Sequence, residues 1–226
     1  PTVWSGPGII VNLVRIPETS KITRGTLEKW FDDVYVPDLV ATGVVTSAWR
    51  FKAANPDDAK QSMAIYKVLD LAPVQTGKLQ TVKKTSETFP TDSHVDEFVE
   101  SDSRMFSLVQ LFQRERQPED SATTIIMAAM EPAAGGEADL NAWYREEHNQ
   151  QMSEQPGWKR TTRFKLLFQH KTDGKPNDAP SMFAIHEFGD GHKIGKDVVP
   201  LKPMTEWTKK CISEAKAIDV DCSANG

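Results

Sequence analysis

The chain has 226 residues, of which 38% are hydrophobic and 26% charged, with a formal net charge of -5. That length holds one large domain or two smaller ones with a real core, and the balance of apolar and charged residues excludes wholesale disorder. Lys and Arg are interleaved with acids, and no basic run is longer than Lys83-Lys84, so the sequence lacks the clustered basic surface of a nucleic-acid partner.

No stretch approaches the roughly 20 apolar residues of a membrane helix, so no membrane partner is expected. The first residues lack the basic-then-apolar pattern of a secretory leader. The two cysteines, Cys211 and Cys222, make neither a disulfide framework nor a Cys-only zinc site. The expectation is a cytoplasmic protein with free thiols.

In chain order, the apolar run Ile9 to Val14 reads as a strand. After a loop with Pro17 and Gly25, Thr26 is placed to cap a helix through Tyr35, with Leu27, Trp30, Phe31 and Val34 on one face. Pro37 and Gly43 end it. Alternating runs at Trp49-Arg50-Phe51 and Met63 to Val68 read as two more strands. A helix is expected over 74–85, a polar surface excursion over 90–103, and a strand over 106–112.

The second half repeats the pattern. Thr123 to Met130 reads as a strand, Asp139 as the cap of a helix over 140–148, and Pro156-Gly157 as a break. Arg163-Phe164 stands where Arg50-Phe51 did, and Ser181 to His186 echoes Ser62 to Tyr66. A helix over 204–217 and a short strand over 218–222 complete it. Trp30-Phe31 and Trp143-Tyr144 lie 113 positions apart, half the chain length. This ordered series of matches points to an internal duplication. Each half then has the order βαββαβ of a ferredoxin-like unit, giving an α+β protein with repeats over 1–115 and 116–226.

The run Trp143-Tyr144-Arg145-Glu146-Glu147-His148, followed by Pro156-Gly157 and Arg163-Phe164, resembles the EthD-like family of dimeric α+β barrels. The first half resembles a diverged copy, with Trp30-Phe31, Val34-Tyr35 in place of Glu-His, and Pro37. The second half keeps Glu147-His148 but has Gln150 where the family has that Pro. The resemblance implies a barrel, usually built from two chains, formed within one chain as a pseudo-dimer; a homodimer remains the other arrangement. It also implies relatives as varied as polyketide decarboxylases and cyclases, monooxygenase-like proteins and haem-handling barrels.

The candidate chemistry lies mainly in the second half. An ideal helix puts Leu140, Tyr144 and Glu147 on the core-facing stripe with Trp143 beside it, and a core-facing carboxylate needs a partner or a water-filled cavity. Tyr144, Glu147 and His148 on adjoining turns are suited to tune an imidazole as general base. They are equally suited to tie the helix end to the sheet. His186 sits in a strand where the first half has Tyr66, on a face facing either the helices or the barrel interior. Arg50 and Arg163 are candidates for binding a carboxylate or enolate. Trp49, Trp158, Trp143, Tyr35 and Tyr66 are candidate walls or donors for an aromatic ligand. The five scattered histidines show no metal spacing, and Gly189 to Gly195 reads as a loop rather than a dinucleotide fingerprint.

The expected function is a cofactor-independent lyase, cyclase or isomerase acting on an aromatic or polyketide-like small molecule, with His148 or His186 moving a proton and Tyr144 or Tyr66 binding an enol. Two alternatives are a non-catalytic small-molecule or stress-response binder and a haem-binding oxidoreductase with one axial histidine.

Overall fold

The structure is a computed structural model that describes residues 2–226. The chain is α+β, and its eight strands follow the order β1-β3-β2-β8-β5-β7-β6-β4 of a closed barrel. The strands are β1 Gly8–Arg15, β2 Val45–Ala53, β3 Ser62–Val68, β4 Glu100–Phe112, β5 Thr124–Glu131, β6 Trp158–Lys171, β7 Met182–Phe188 and β8 Ala217–Asn225. The helices are α1 Arg24–Trp30, α2 Val36–Ala41, α3 Ala72–Gln75, α4 Glu137–Trp143, α5 Asn149–Ser153 and α6 Glu206–Glu214.

Two compact units divide the chain. One takes in the chain up to Phe51, Asp58–Ser107 and Leu167–Asn177. The other takes in Lys52–Asp57, Leu108–Leu166 and Asp178–Gly226. In the first, β1 lies between β3 and β4, antiparallel to both, with Ile10 opposite Tyr66 and Asn12 opposite Ser103. In the second, β5 lies between β7 and β8, again antiparallel, with Ile126 opposite His186. Both are ferredoxin-like sheets with the order expected of a βαββαβ unit.

Each unit packs one sheet face on its helices. In the first, Ile10, Ala64, Tyr66 and Val68 meet Leu27, Trp30, Phe31 and Tyr35. In the second, Met130, Met182 and Ala184 meet Leu140, Trp143, Tyr144 and Cys211. His186 shares the face of Ala184, so it is turned towards the helices.

The first helix of each repeat contains a turn that an ideal wheel misses. Phe31–Tyr35 and Tyr144–His148 are π-helical: Val36 N–H donates to the Phe31 carbonyl, and Asn149 N–H to that of Tyr144. The wider turn shifts the inward face by one residue. Tyr35 is buried while Val34 is 39% exposed. In the second repeat this brings His148, not Glu147, against the core aromatics. Glu147 is half-buried and accepts a hydrogen bond from Thr205 Oγ1 at 3.0 Å. The core-stripe placement of Glu147 is therefore corrected.

Other boundaries also move. Helix α1 starts earlier than expected, because Thr23 rather than Thr26 is its cap, accepting from Thr26 N–H. The helix expected over 74–85 is only α3 and a 3₁₀ turn, Lys78–Thr81, separated by Gly77 at φ +86°. Strand β4 begins at Glu100, inside the expected surface excursion. Its Asp102 is fully buried by ion pairs, which hid the strand from a reading based on alternating hydrophobicity. Among the described residues no helix is long and apolar enough to cross a membrane.

Candidate functional site

Equivalent positions in the two repeats carry different chemistry. In the first repeat, strand β3 and the π-turn border a cavity of about 70 Å³, enough for several waters at roughly 10–15 Å³ each. Its walls include Trp30, Phe31, Tyr35, Phe51 and Tyr66, with the polar side chain of Asn12. Glu28, Arg50, Lys84 and Asp96 supply charge at the same cavity. Trp30 and Tyr35 stack at 4.7 Å, and Tyr35 meets Tyr66 edge-on at 6.3 Å.

Electrostatics make the inner wall a neutral donor surface. Burial, with the charge of Asp96 second, pushes the Tyr35 phenol up to about 12. Burial likewise holds Tyr66 well above its ordinary value, so both stay protonated at neutral pH. Trp30 is 5% exposed, and its buried Nε1–H has no acceptor. A buried donor left unpaired costs about 1–3 kcal/mol, so this indole N–H favours any acceptor, water or ligand, that reaches it. Arg50 is committed elsewhere. It forks onto Asp32 at 2.8 and 2.9 Å and lies 3.4 Å from Glu28, so the expected carboxylate-binding role falls to a guanidinium already neutralised.

In the second repeat the equivalent side chains pack on one another. His148 stacks on Trp143 at 4.2 Å and meets Tyr144 and His186 edge-on at 5.1 and 5.7 Å. Arg163, 2% exposed, lies 4.1 Å over the Tyr144 ring and donates to Asn141 and Gln110. His186 Nδ1 is 2.8 Å from Thr161 Oγ1. Burial lowers the His148 imidazole to about 4, and burial, His148 and Arg163 together lower His186, so both rings are neutral. Burial also raises Tyr144 to about 12. Trp143 Nε1–H is satisfied by Thr208 Oγ1 of α6 at 3.1 Å.

The sequence candidates thus fall into separate places. Tyr144, His148, His186, Arg163 and Trp143 are brought together in a packed cluster. Tyr35, Tyr66 and Arg50 line the open cavity of the first repeat. Trp158 donates to Thr161 and packs on Phe112, while Trp49 is half-buried and not part of the cavity wall. The sequence reading missed Trp30 and Asn12 as site residues. Asn12 left a signal, being the one amide in the apolar run from Ile9 to Val14.

The first-repeat cavity and the inner histidine cluster of the second repeat offer a haem no fit. Neither histidine nor cysteine lines the cavity, and the two inner histidines of the second repeat are packed ring against ring. His192 spends both nitrogens on Thr124 and the Ile194 amide. Among the described residues no group of three or more His, Cys, Asp or Glu side chains stands close enough to hold a metal ion.

No protein-family model and no curated protein matches the chain. Solved structures do. A candidate monooxygenase from Fusobacterium nucleatum superposes with a TM-score of 0.57 at 6% identity, over 99% of this chain and 94% of that one. An anthrone oxidase-like protein gives 0.56 at 10% identity, over 98% and 91%. A candidate monooxygenase from Lactobacillus acidophilus gives 0.52 at 12% identity, over 97% and 93%. At these identities the likeness establishes the fold, an α+β barrel of ferredoxin-like repeats. Those names speak of oxidase and monooxygenase chemistry, and that finding overturns the expected cofactor-independent lyase, cyclase or isomerase.

Proposed function

We propose that the chain is an enzyme that oxidises an aromatic small molecule with dioxygen, and that the cavity of the first repeat is its substrate site. The observation that carries this reading is the unpaired Nε1–H of Trp30 in an aromatic wall shared with Tyr35 and Tyr66. Such a wall suits a ring that bears a carbonyl or phenol oxygen. The fold it shares with an anthrone oxidase-like protein and candidate monooxygenases supports the same class. Membership of the EthD-like family belongs to this proposal, carried by the Trp-aromatic helix and the Pro156-Gly157 turn.

The reaction is the conversion of an activated ring methylene to a ketone: R₂CH₂ + O₂ → R₂C=O + H₂O. Two C–H bonds break, one oxygen atom becomes the new carbonyl, and the other leaves as water. Loss of the first proton gives an enolate, the electron-rich form that reduces dioxygen. Protonated phenols and an indole N–H are suited to stabilise that enolate oxygen. Glu28 is engaged by Arg24 and Arg50. Asp96, whose charge reaches Tyr35, is therefore the carboxylate assigned to take the proton.

Oxygen uptake with anthrone as probe tests the reading. The expected result is consumption of one dioxygen per anthrone, with one labelled atom from ¹⁸O₂ in the quinone. Uptake should fall at least tenfold in Trp30→Phe and in Asp96→Asn. An enzyme that turns over anthrone equally well with those two substitutions, or neither binds nor oxidises it, overturns the proposal.

A further inference from the structure

Four charged side chains line the cavity of the first repeat, and three of them are already engaged. Glu28 lies 3.2 Å from Arg24 and 3.4 Å from Arg50. Arg50 forks onto Asp32. Asp96 is the carboxylate assigned to the proton transfer. Lys84 is the fourth, and among the described residues its ammonium has neither an acidic partner nor a side-chain hydrogen bond.

The backbone holds Lys84 at this wall. Its carbonyl accepts from Val95 N–H at 2.8 Å, and Val95 opens a 3₁₀ turn, Val95–Glu97. Val95, Phe98 and Val99 are buried in one core with Trp30, Phe31 and Tyr35. That bond sets residue 84 beside the stretch that carries Asp96. Yet the two opposite charges do not pair with each other: Asp96 Oδ2 lies 3.3 Å from His94 Nδ1. Depth then separates the groups. Trp30, Tyr35 and Tyr66 are buried, whereas Lys84 is half-buried and the Asp96 side chain is 39% exposed. A half-buried lysine lays its methylene stem on apolar surface and keeps its ammonium towards water. Lys83, the preceding residue, is exposed and does not line the cavity.

We infer that Lys84 selects an aromatic ligand bearing a permanent anionic group, a carboxylate, on the edge of the ring that stays at the rim. This rests on the cavity of the first repeat being the substrate site. It narrows the substrate from any oxygen-bearing aromatic to an aromatic acid, with the ring oxygen inward at Trp30 and the acid outward at Lys84. A carboxylate at the depth of Lys84 keeps part of its hydration and gains a cation. Against the inner wall it would lose that water and meet only neutral donors. Arg50 cannot take this role, being held by Asp32 and Glu28, and Asp96 opposes an anion, so the acid belongs on the Lys84 side.

The test uses the full chain and two fluorescent probes near neutral pH, 6-hydroxy-2-naphthoate and its uncharged amide, which share the ring hydroxyl. The wild type is expected to bind the naphthoate about fivefold tighter than the amide, the upper end for an ion pair near the surface. Raising the salt from about 0.01 M to about 1 M shortens the screening length from roughly 30 Å to 3 Å and should bring the two affinities together, a readout that needs no variant. Lys84→Met should erase the preference, Lys84→Glu should reverse it and Lys84→Arg should keep it, with binding of the amide reporting that the cavity is formed. Lys83→Met should match the wild type. Should the naphthoate bind no tighter than the amide, or keep its preference in Lys84→Met, the inference fails while the cavity remains a site. Should neither probe bind, or both bind unaffected by Trp30→Phe and Tyr66→Phe alike, the site assignment fails and this inference with it.

Discussion

Trp30 and Trp143 hold the same position in their repeats, yet Trp143 donates its indole proton to Thr208 and Trp30 has no acceptor for its own. The difference traces to what covers each helix. In the second repeat α6 brings Thr208 over the indole. The first repeat has only the four-residue α3 and a 3₁₀ turn in the equivalent stretch, and no hydroxyl reaches Trp30. Replacing either indole by phenylalanine loses similar ring volume, but only Trp143→Phe also loses a made hydrogen bond. We expect Trp143→Phe to cost about 1 kcal/mol more stability than Trp30→Phe, read from urea midpoints at equal slopes. Equal costs would mean that Trp30 has an internal partner after all.

His148, half-buried, and the fully buried His186 predict a pH dependence of stability. Burial holds the folded His148 at about 4 and His186 below its ordinary value, whereas both titrate near 6.5 when unfolded. As pH falls below about 6.5 the unfolded chain takes up protons that the folded chain refuses, so stability drops from there down to about pH 4. Above pH 7 these groups add no slope. The double variant His148→Asn, His186→Asn should lose this limb of the stability curve between pH 6.5 and 4. A wild-type curve that is flat across that window would show at least one ring to be protonated in the folded state.

The strands were legible because β1, β3, β5 and β7 are strongly apolar runs, and because the second half repeats the first. Turn residues carried the boundaries at Gly43 and Pro156-Gly157. What sequence periodicity could not carry was the π-turn. Counting at 3.6 residues per turn assigns Val34 and Glu147 inward, and one extra residue per turn hands those places to Tyr35 and His148. The catalytic candidates all lie in the second half, whereas the binding candidates are spread over both. What surrounds each π-turn depends on side chains from distant segments, as Thr208 and Arg163 reach Trp143 and Tyr144 in the second repeat. That is a tertiary property with no local signature.

The Pro156-Gly157 turn depends on glycine. Gly157 has φ +76°, and a Cβ there would lie 2.6 Å from His192 N and 2.8 Å from the Gly189 carbonyl. Both neighbours are backbone, so neither yields as a flexible side chain would. Gly157→Ala is expected to destabilise by about 2 kcal/mol or more, combining left-handed strain with the clash. Thermal unfolding of the variant checks this; an unchanged midpoint would show the turn able to relocate.

Asp102 predicts a second and lower acid limb. It is fully buried on β4, with Lys60 Nζ at 2.7 Å, Arg104 Nη2 at 2.8 Å and Gln169 Nε2 at 2.9 Å. Burial alone would raise its pKa, but the bonds from Arg104, Lys60 and Gln169 outweigh that and hold it well below the ordinary carboxylate range. A depressed carboxyl contributes stability that is complete above its unfolded pKa of about 3.9 and is lost as pH falls through the folded value. The loss attributable to Asp102 should therefore begin near pH 4, below the histidine limb, and continue downward. Asp102→Asn leaves two cations facing a neutral amide and should cost about 3–5 kcal/mol at pH 7. Its stability curve should be flatter than wild type below pH 4. If the variant instead matches the wild type at pH 7, the ion cluster is solvated enough for Lys60 and Arg104 to reach water. The buried reading of β4 would then be wrong at the residue where polar sequence hid the strand.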